Sequence, residues 1–379
     1  MQLFEKLNID FMSKRTTFYF VSSAIILLGL LHIIFKGLVF GIDFKGGSEI
    51  ALQFSKPVQI SKVRAEVDKL GLGNAEVKTF GGSTGILVRT ELQEIPSNLV
   101  PKVRAKIESL ISNTLPGVQP QLADSALDRL TYKFPTPRDA EIINNKLYES
   151  GFQTAKVSEE PTNTGVIVRL AISDWIKENL TENYSENPFK LLKEDKVGPK
   201  VGKELKTDAV LAVLLSLVVI LIYLAFRFKF AFAFGAVIAL FHDVLITLGI
   251  FAALYGMIPG LNLEISVSVV AAFLTLVGYS INDTVIVFDR VREQIKIHKS
   301  LPLVDNMNHA INKTMSRTII TSLTTLLTIT VLLIFGGEVL RGFAFALFIG
   351  MITGTYSSVF VASAFVLEVA NRTKRKIEF

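Results

Sequence analysis

Three charged residues, Asp243, Asp283 and Arg317, lie inside long apolar stretches of the chain, where an ionised side chain is costly to place. Each is therefore a candidate functional residue, unless a neighbouring side chain accounts for its charge. A carboxyl group in lipid takes up a proton when it has no partner, whereas a nearby guanidinium favours the carboxylate. An aspartate and an arginine at one depth in a membrane are thus the minimum machinery of a proton relay.

Asp283 and Arg317 have that relation if their helices are neighbours. Asp283 lies about six residues, or roughly 9 Å, inside the edge at Asp289 and Arg290, and Arg317 follows Lys313 by about four residues. We predict that the two form the relay, and a static buried ion pair that fixes packing is the alternative. The polar side chains expected to support the relay are Asn282, Ser280 and Thr321.

Asp243 follows His242 near the middle of another apolar stretch, roughly 20 Å from the edge at Arg227. Two interpretations remain open: Asp243 extends the relay, or it is hydrogen-bonded to a threonine on a neighbouring helix. His242 is better interpreted as a donor in that network than as a pH sensor. We include Asp243 among the candidate relay residues.

The composition disfavours several classes of enzyme. The chain has 379 residues, half of them hydrophobic, with no cysteine and 4 histidines. Without cysteine there is no disulfide framework and no thiolate metal site. No HExxH, phosphate-binding loop or Gly-x-Ser-x-Gly motif occurs, so an ATPase, a zinc peptidase and a serine hydrolase are disfavoured. We predict no catalytic residue, no metal and no cofactor.

Six apolar stretches reach the length of about 20 residues that a helix needs to cross the hydrocarbon core of a membrane. The first has no small-x-small cleavage site after it, so we interpret it as an uncleaved anchor rather than a signal peptide. The six predicted spans are residues 17–36, 208–226, 230–254, 265–288, 315–335 and 340–368.

Lysine and arginine near the span ends predict the orientation. They concentrate in the tail 1–16, between the second and third spans, in the loop 289–314 and in the tail 369–379, and such segments face the cytoplasm. The hydrophilic segment 41–206 is then periplasmic, which predicts a multi-pass protein of a bacterial inner membrane. The net charge of +6 serves this topology, so we expect contact with membrane lipids and no binding to nucleic acid.

The periplasmic segment contains an internal repeat. At an offset of 80 residues, residues 50–91 align without a gap on residues 130–171. Each copy has the pattern strand, helix, strand, strand, which predicts an α+β domain with a tandem βαββ repeat, in units at about 45–115 and 125–180 with a linking helix near 97–113. The domain is either a structural spacer or a surface that binds unfolded chain through exposed sheet edges. Identical residues at matched positions include Gly71 and Gly151, Val88 and Val168, and Arg89 and Arg169.

Six short motifs follow one another along the chain: Gly41-Ile-Asp-Phe-Lys-Gly-Gly47, Val197-Gly-Pro-Lys-Val-Gly-Lys-Glu-Leu205, Phe241-His-Asp-Val, the string from Val277 to Glu293, Ser316-Arg-Thr-Ile-Ile-Thr-Ser322 and Phe335-Gly-Gly-Glu338. Together they cover all six spans, and the string in the fourth span is highly specific. In this order they resemble the SecF family of protein-export membrane proteins. The motif residues that flank the periplasmic domain are Gly41, Asp43, Gly46, Gly47, Gly198, Pro199 and Gly202.

The resemblance implies the fold of one six-span half of an RND-superfamily transporter, with SecD as the other half. It implies an activity that couples proton flow to late export of unfolded preproteins through the SecYEG channel. By the same resemblance, the proton-carrying aspartate of the family maps onto Asp283, and its paired arginine maps onto Arg317. One departure is the duplicated βαββ unit, since the family typically has a single one.

Three other functions stay open. An RND-type proton-driven exporter of small molecules or lipids would usually contain two six-span halves or dimerise. An intramembrane aspartyl protease typically needs a Gly-x-Gly-Asp motif, and the fourth span has Ile281-Asn282-Asp283 instead. A passive scaffold would have the same spans without a working relay.

Overall fold

The computed structural model describes residues 8–73, 75–126, 128–258 and 261–373. The predicted tails 1–16 and 369–379 lie partly outside these residues. The chain divides into two compact units. One is the inserted unit, Ile42–Lys203, and the other is the membrane unit, which comprises Met1–Gly41 and Glu204–Phe379.

Long helices form the membrane unit, whereas strands and shorter helices form the inserted unit. The α-helices of the described residues are α1 (Arg15–Lys36), α2 (Ile42–Lys45), α3 (Ile60–Lys69), α4 (Val100–Thr114), α5 (Pro137–Glu149), α6 (Ile172–Asn183), α7 (Pro199–Arg227), α8 (Phe230–Leu254), α9 (Val267–Ile297), α10 (Leu303–Phe335), α11 (Gly337–Ser357) and α12 (Ala364–Thr373). The strands are β1 (Gly47–Phe54), β2 (Glu76–Thr79), β3 (Gly85–Thr90), β4 (Gln121–Ser125), β5 (Arg129–Lys133), β6 (Thr154–Lys156), β7 (Gly165–Arg169) and β8 (Phe189–Val197).

Six helical segments of the described chain are long and apolar enough to cross a membrane. Five of them contain α1, α7, α8, α9 and α10. The sixth is α11, which continues through one π-helical segment, Ser358–Ser363, into α12. The predicted fold of six spans with an inserted α+β domain is confirmed.

α9 and α10 run well beyond their predicted spans. α9 ends at Ile297 and α10 begins at Leu303, so most of the segment 289–314, which we expected to be a loop, is helical. Hydropathy falls where the charged residues begin, but lysine, arginine and glutamate are good helix formers. Arg290 donates to Glu293 one turn later at 2.7 Å, which supports the extension of α9.

Small residues bring the helices around the buried aspartates into close contact. A Cβ atom at Gly29 of α1 would lie 2.7 Å from the Cα of Gly249 in α8, so these two backbones touch. A Cβ atom at Gly354 of α11 would lie 2.9 Å from the Oγ of Ser280 in α9. Glycine permits this approach because it has no side chain to separate the helices. The third and fourth spans are therefore held tightly by the first and sixth.

Two four-stranded antiparallel sheets form the inserted unit, with the strand orders β2-β3-β1-β8 and β4-β5-β7-β6. A strand-helix-strand-strand sequence supplies three strands of each sheet: β1, α3, β2 and β3 in the first, and β5, α5, β6 and β7 in the second. Partner residues correspond at the offset of 80, because Glu49 faces Arg89 in the first sheet and Arg129 faces Arg169 in the second. The two halves of the unit thus have one topology.

The fourth strand of each sheet comes from the other half of the unit. With the helix and strand that follow, each half has the element order of a βαββαβ fold, in which the last strand belongs to the same sheet as the first. Here β4 pairs with β5, and β8 pairs with β1, so the two halves exchange their last strands. Buried side chains of both halves accordingly share one core, which includes Leu52, Val88, Leu130, Val168 and Trp175.

The hairpin between β6 and β7 departs from the ungapped repeat. Val77 faces Val88 in the first sheet, whereas in the second Thr154 faces Val168. The aligned residue Val157 is 52% exposed and lies beyond the end of β6. The connection between β6 and β7 is longer than that between β2 and β3. As a result, β7 pairs with residues of β6 that lie earlier in the chain than the alignment predicts. The ungapped alignment therefore holds for β5 and β7 but not for β6.

Candidate functional site

Asp243 is buried in the middle of α8, with its residue only 1% exposed. Its Oδ2 atom accepts hydrogen bonds from the Oγ of Ser280 on α9 at 2.7 Å and from the Oγ of Ser357 on α11 at 2.8 Å. Its Oδ1 atom lies 2.9 Å from Nδ1 of His242. The carboxyl group thus has the expected histidine as a partner, and two serines in place of the expected threonine.

A chain of hydrogen bonds leads from His242 to the first span. Nε2 of His242 lies 3.1 Å from the hydroxyl of Tyr356 on α11, and that hydroxyl lies 3.1 Å from the Oγ of Ser22 on α1. When the carboxyl group of Asp243 is ionised, His242 donates to it through Nδ1 and accepts from Tyr356 through Nε2. When the carboxyl group carries the proton, it can donate to Nδ1 of His242, and Nε2 can then donate to Tyr356. These hydrogen bonds therefore connect Asp243 on α8 to Ser22 on α1.

Asp283 is buried on α9 and has fewer polar contacts than Asp243. Its residue is 2% exposed, and its Oδ2 atom accepts a hydrogen bond from the Oγ of Ser322 on α10 at 3.4 Å. Ser322 in turn accepts from the hydroxyl of Thr355 on α11 at 2.9 Å. A bond at 3.4 Å is near the outer limit for hydroxyl donors, so this carboxyl group is only weakly held.

A direct ion pair between Asp283 and Arg317, the alternative to a relay, is not formed among the residues that the structure describes. Arg317 is exposed on α10, near enough to Asp283 for an electrostatic interaction but without an ion pair. The next residue, Thr318, is buried, because one step along an α-helix turns the side-chain direction by about 100°. Spacing in the sequence predicts depth, whereas the rotation of α10 about its axis decides whether the two charges touch.

The three predicted supporting residues have different surroundings. Ser280 binds Asp243 rather than Asp283. Asn282 is exposed, and Thr321 donates through Oγ1 to backbone carbonyl oxygens of its own helix at 2.9 and 3.1 Å. Among the described residues, Ser280 is thus the one member of this set that contacts a relay carboxyl group.

Several residues of the site were not predicted. Their only signal in the sequence is a hydroxyl group inside an apolar span, which many serines and threonines of these helices share. In addition, the described part of the chain holds no group of three or more His, Asp or Glu side chains that could bind a metal ion. The hydroxyl residues that the structure adds to the site are Ser22, Ser322, Thr355, Tyr356 and Ser357.

The glycine motif and the motif before α7 pack against each other at the start of β1. Gly46 and Gly47 have φ angles of 78° and 118°, in the region that favours glycine. A Cβ atom at Gly46 would lie 3.0 Å from the Cα of Pro199, and one at Gly202 would lie 3.1 Å from the carbonyl oxygen of Phe44. These residue types are therefore required by close backbone packing, and Pro199 suits the first turn of α7, which starts before the predicted span 208–226.

The other residues of these motifs are less crowded. Gly41 donates its backbone N–H to the carbonyl oxygen of Ile265 at 2.8 Å inside the membrane unit. Asp43 lies in the short helix α2, and a Cβ atom at Gly198 would meet no atom closer than 3.7 Å. Gly198 therefore tolerates a small side chain. Gly47 does not, since a Cβ atom at Gly47 would overlap the carbonyl oxygen of Thr90.

Comparison with known proteins covers nearly the whole chain. Residues 176–372 match a family profile described as protein export membrane protein SecD/SecF, C-terminal, and residues 33–58 match one described as the SecD/SecF GG motif. The protein translocase subunit SecF of Rhodothermus marinus is 37% identical over 98% of this chain and 96% of the relative. The subunit of the same name from Calditerrivibrio nitroreducens is 36% identical over 97% of this chain and 96% of the relative.

A solved structure has the same fold. The crystal structure of SecDF, a translocon-associated membrane protein from Thermus thermophilus, aligns with a TM-score of 0.65 and 30% identity. The alignment covers 98% of this chain and 40% of the SecDF chain. This chain therefore spans less than half of that protein.

Six apolar helices that enclose buried carboxyl groups, with an α+β unit inserted after the first helix, define a multi-pass membrane protein of the transport class. The full-length relatives are more specific than the fold. The chain belongs to the SecF family of protein translocase subunits.

Proposed function

We propose that this chain is the SecF half of a SecD/SecF accessory complex, which uses proton flow across the bacterial inner membrane to drive late-stage export of unfolded preproteins through SecYEG. Both termini then lie in the cytoplasm, and the inserted unit lies in the periplasm. The observation that carries the proposal is the burial of Asp283 between α9, α10 and α11 with one long hydrogen bond. A carboxyl group held this weakly can gain and lose a proton without breaking a network.

The position of Arg317 supports a relay rather than a static ion pair. Its guanidinium is exposed and, among the described residues, forms no ion pair with Asp283. A rotation or shift of α10 that brings it to the carboxyl group would favour the ionised form and release the proton. Each proton that crosses contributes roughly 2.3 kcal/mol per 100 mV of membrane potential, enough to bias small movements of an exported chain.

The exposed surface of the membrane unit supports a second six-span half as partner. Large apolar side chains of α7 and α10 are exposed, among them Val219, Phe226, Leu323 and Leu327. Lipid tails can cover such side chains, but the hydrocarbon cannot solvate the exposed guanidinium of Arg317 on α10. A SecD half that packs on α10 would provide a protein environment for that charge.

The proposal is tested with inverted membrane vesicles that contain SecYEG and SecD. We expect Asp283→Asn and Arg317→Met each to abolish the dependence of late translocation on membrane potential, because each removes one member of the relay. Asp289→Asn is the matched control, since it makes the same chemical change on the same helix at a carboxylate that pairs with Arg227 at 2.8 Å. Unchanged translocation in either relay variant would contradict the proposal.

A further inference from the structure

The two sheets of the inserted unit differ in charge at one matched pair of positions. In the first sheet Glu49 faces Arg89, and Nε of Arg89 donates to Oε2 of Glu49 at 2.7 Å, with both residues buried. In the second sheet the same positions hold Arg129 and Arg169, which face each other directly. An ion pair in one half is thus a pair of like charges in the other.

The outer face of the first sheet is neutralised by its own side chains. Arg89 also lies 3.6 Å from Glu76 on β2, and Lys193 on β8 lies 3.3 Å from Glu49. From β2 to β1 the charges alternate, whereas Asp195 on β8 faces Glu49 and pairs with Lys193 on its own strand. Each of these charged side chains therefore has an opposite charge nearby. The charges of these side chains are thus balanced within the first sheet.

The same face of the second sheet is cationic. Arg129, Lys133 and Arg169 are all exposed. Arg129 lies 3.7 Å from Asp124 on β4, whereas Lys133 and Arg169 have no ion pair in the part of the chain that the structure describes. Like charges directly opposite each other in a sheet are destabilising. Two arginines at this pair of positions therefore reduce the stability of the sheet, and Asp124 offsets the charge of Arg129 alone.

The surroundings of this cationic face suit an extended polypeptide. Ile167 on β7 faces Thr131, which lies between Arg129 and Lys133 on β5. Val157, which is 52% exposed, lies beside Gly165, beyond the end of β6. β6 is one of the two edge strands of its sheet and is only 3 residues long, and its side away from β7 has no partner strand among the described residues. An added strand would find main-chain partners at the edge and both apolar and cationic side chains on the face.

We propose that the outer face of the second sheet, formed by Arg129, Lys133, Ile167 and Arg169, binds acidic segments of an extended polypeptide. The inference rests on the proposed function, in which the extended polypeptide is the chain under export. Charge complementarity selects the acidic segments, and the open edge selects an extended backbone over a lipid headgroup. The first sheet, whose charges are internally matched, does not share this role.

Binding is measured with the full-length protein in uncharged detergent by the fluorescence anisotropy of two labelled peptides. One peptide alternates valine with glutamate, and the other alternates valine with lysine. We expect the acidic peptide to bind more tightly and to lose affinity as salt is raised, because the contacts are exposed charges. Equal binding of the two peptides would overturn the proposal. So would binding of anionic phospholipid vesicles by a protein that does not bind the acidic peptide.

Arg169→Glu separates binding from folding. The new carboxylate would face Arg129, so the charges alternate as in the first sheet, and we expect the thermal unfolding midpoint to stay the same or rise. Affinity for the acidic peptide should fall roughly tenfold, because one attraction is replaced by a repulsion. If the role of Arg169 were purely structural, its replacement would not weaken peptide binding while the unfolding midpoint stays the same or rises.

Arg138→Glu is the matched control, since Arg138 is exposed on α5 and makes the same change in net charge away from the sheet face. If the two variants bind the acidic peptide equally, the proposal is overturned. If Arg169→Glu does not fold, Arg169→Gln replaces it with the same expected direction. No membrane potential is involved, so a failure of the relay variants in vesicles leaves this binding result unaffected.

Discussion

Asp243 and Asp283 lie on neighbouring helices, but their carboxyl groups are held very differently. Asp243 has His242 and two serine hydroxyls as partners at 2.7 to 2.9 Å. Asp283 accepts from one hydroxyl at 3.4 Å. Since a fully satisfied buried network resists change, Asp243 is suited to keep one protonation state. Its hydrogen bonds extend through His242 to Tyr356. Asp283 is suited to exchange protons.

Outside the membrane, two buried acids on α6 give the inserted unit a pH dependence of its own. Burial raises the pKa of Glu178 above its ordinary value, although Lys106 opposes the change. Burial likewise raises the pKa of Asp174, opposed by Lys177. The folded form then binds these protons more tightly than the unfolded form does. The stability from these groups is present below their ordinary pKa and is lost as pH rises through the raised value.

Glu178→Gln should therefore stabilise the inserted unit at pH 7, because it removes a carboxylate that is costly to ionise in the core. We expect the free energy of unfolding to rise on the order of 1 kcal/mol at pH 7 and little at pH 4. Trp175, the single tryptophan of the chain, lies buried on the same helix, and its fluorescence in urea reports the unfolding. Lys106 keeps Glu182 as a partner at 2.7 Å, so no cation is stranded. An equal effect at both pH values would contradict this account.

Among the elements, the start of β1 beside the end of β3 depends strongly on residue type. Gly47→Ala places a Cβ atom on the carbonyl oxygen of Thr90 at a φ of 118°. We expect a loss of roughly 1 to 3 kcal/mol in the stability of the inserted unit. Gly198→Ala, with ordinary space around it, is the control and should change stability by less than about 0.5 kcal/mol. The unfolding midpoint of each variant is measured in urea by the fluorescence of Trp175. Similar midpoints for the two variants would contradict this interpretation.

At the scale of the whole molecule, the exchange of β4 and β8 makes two sheets into one cooperative structure. Val166→Ala on β7 opens a cavity at a fully buried site and should cost about 2 kcal/mol. Because the core is shared, we expect hydrogen exchange to accelerate in β1 as well as in β7, as measured by mass spectrometry on the full-length protein. Acceleration confined to β5, β6 and β7 would show that the halves unfold independently.

The sequence predicts those features of this architecture that depend on local signals. Six spans follow from hydropathy because a membrane helix satisfies its own backbone. The repeated strand-helix-strand-strand pattern follows from self-similarity at 80 residues. The exchanged strands do not, because a strand such as β8 has a suitable pattern for either sheet and its partner is chosen by distant contacts. The same limit applies to Arg317, whose distance from Asp283 depends on how α10 is rotated.

The pairing of β1 with β8 also bears on how such a protein can evolve. Gly47 and Val197 are partners across adjacent strands, so the chain leaves the inserted unit about one strand spacing, roughly 5 Å, from where it entered. An insertion whose ends meet in this way keeps the same short separation between its two connections, whatever its own size. The unit could therefore grow by duplication within its own boundaries, and each new copy would leave the geometry of the intramembrane carboxyl sites unchanged.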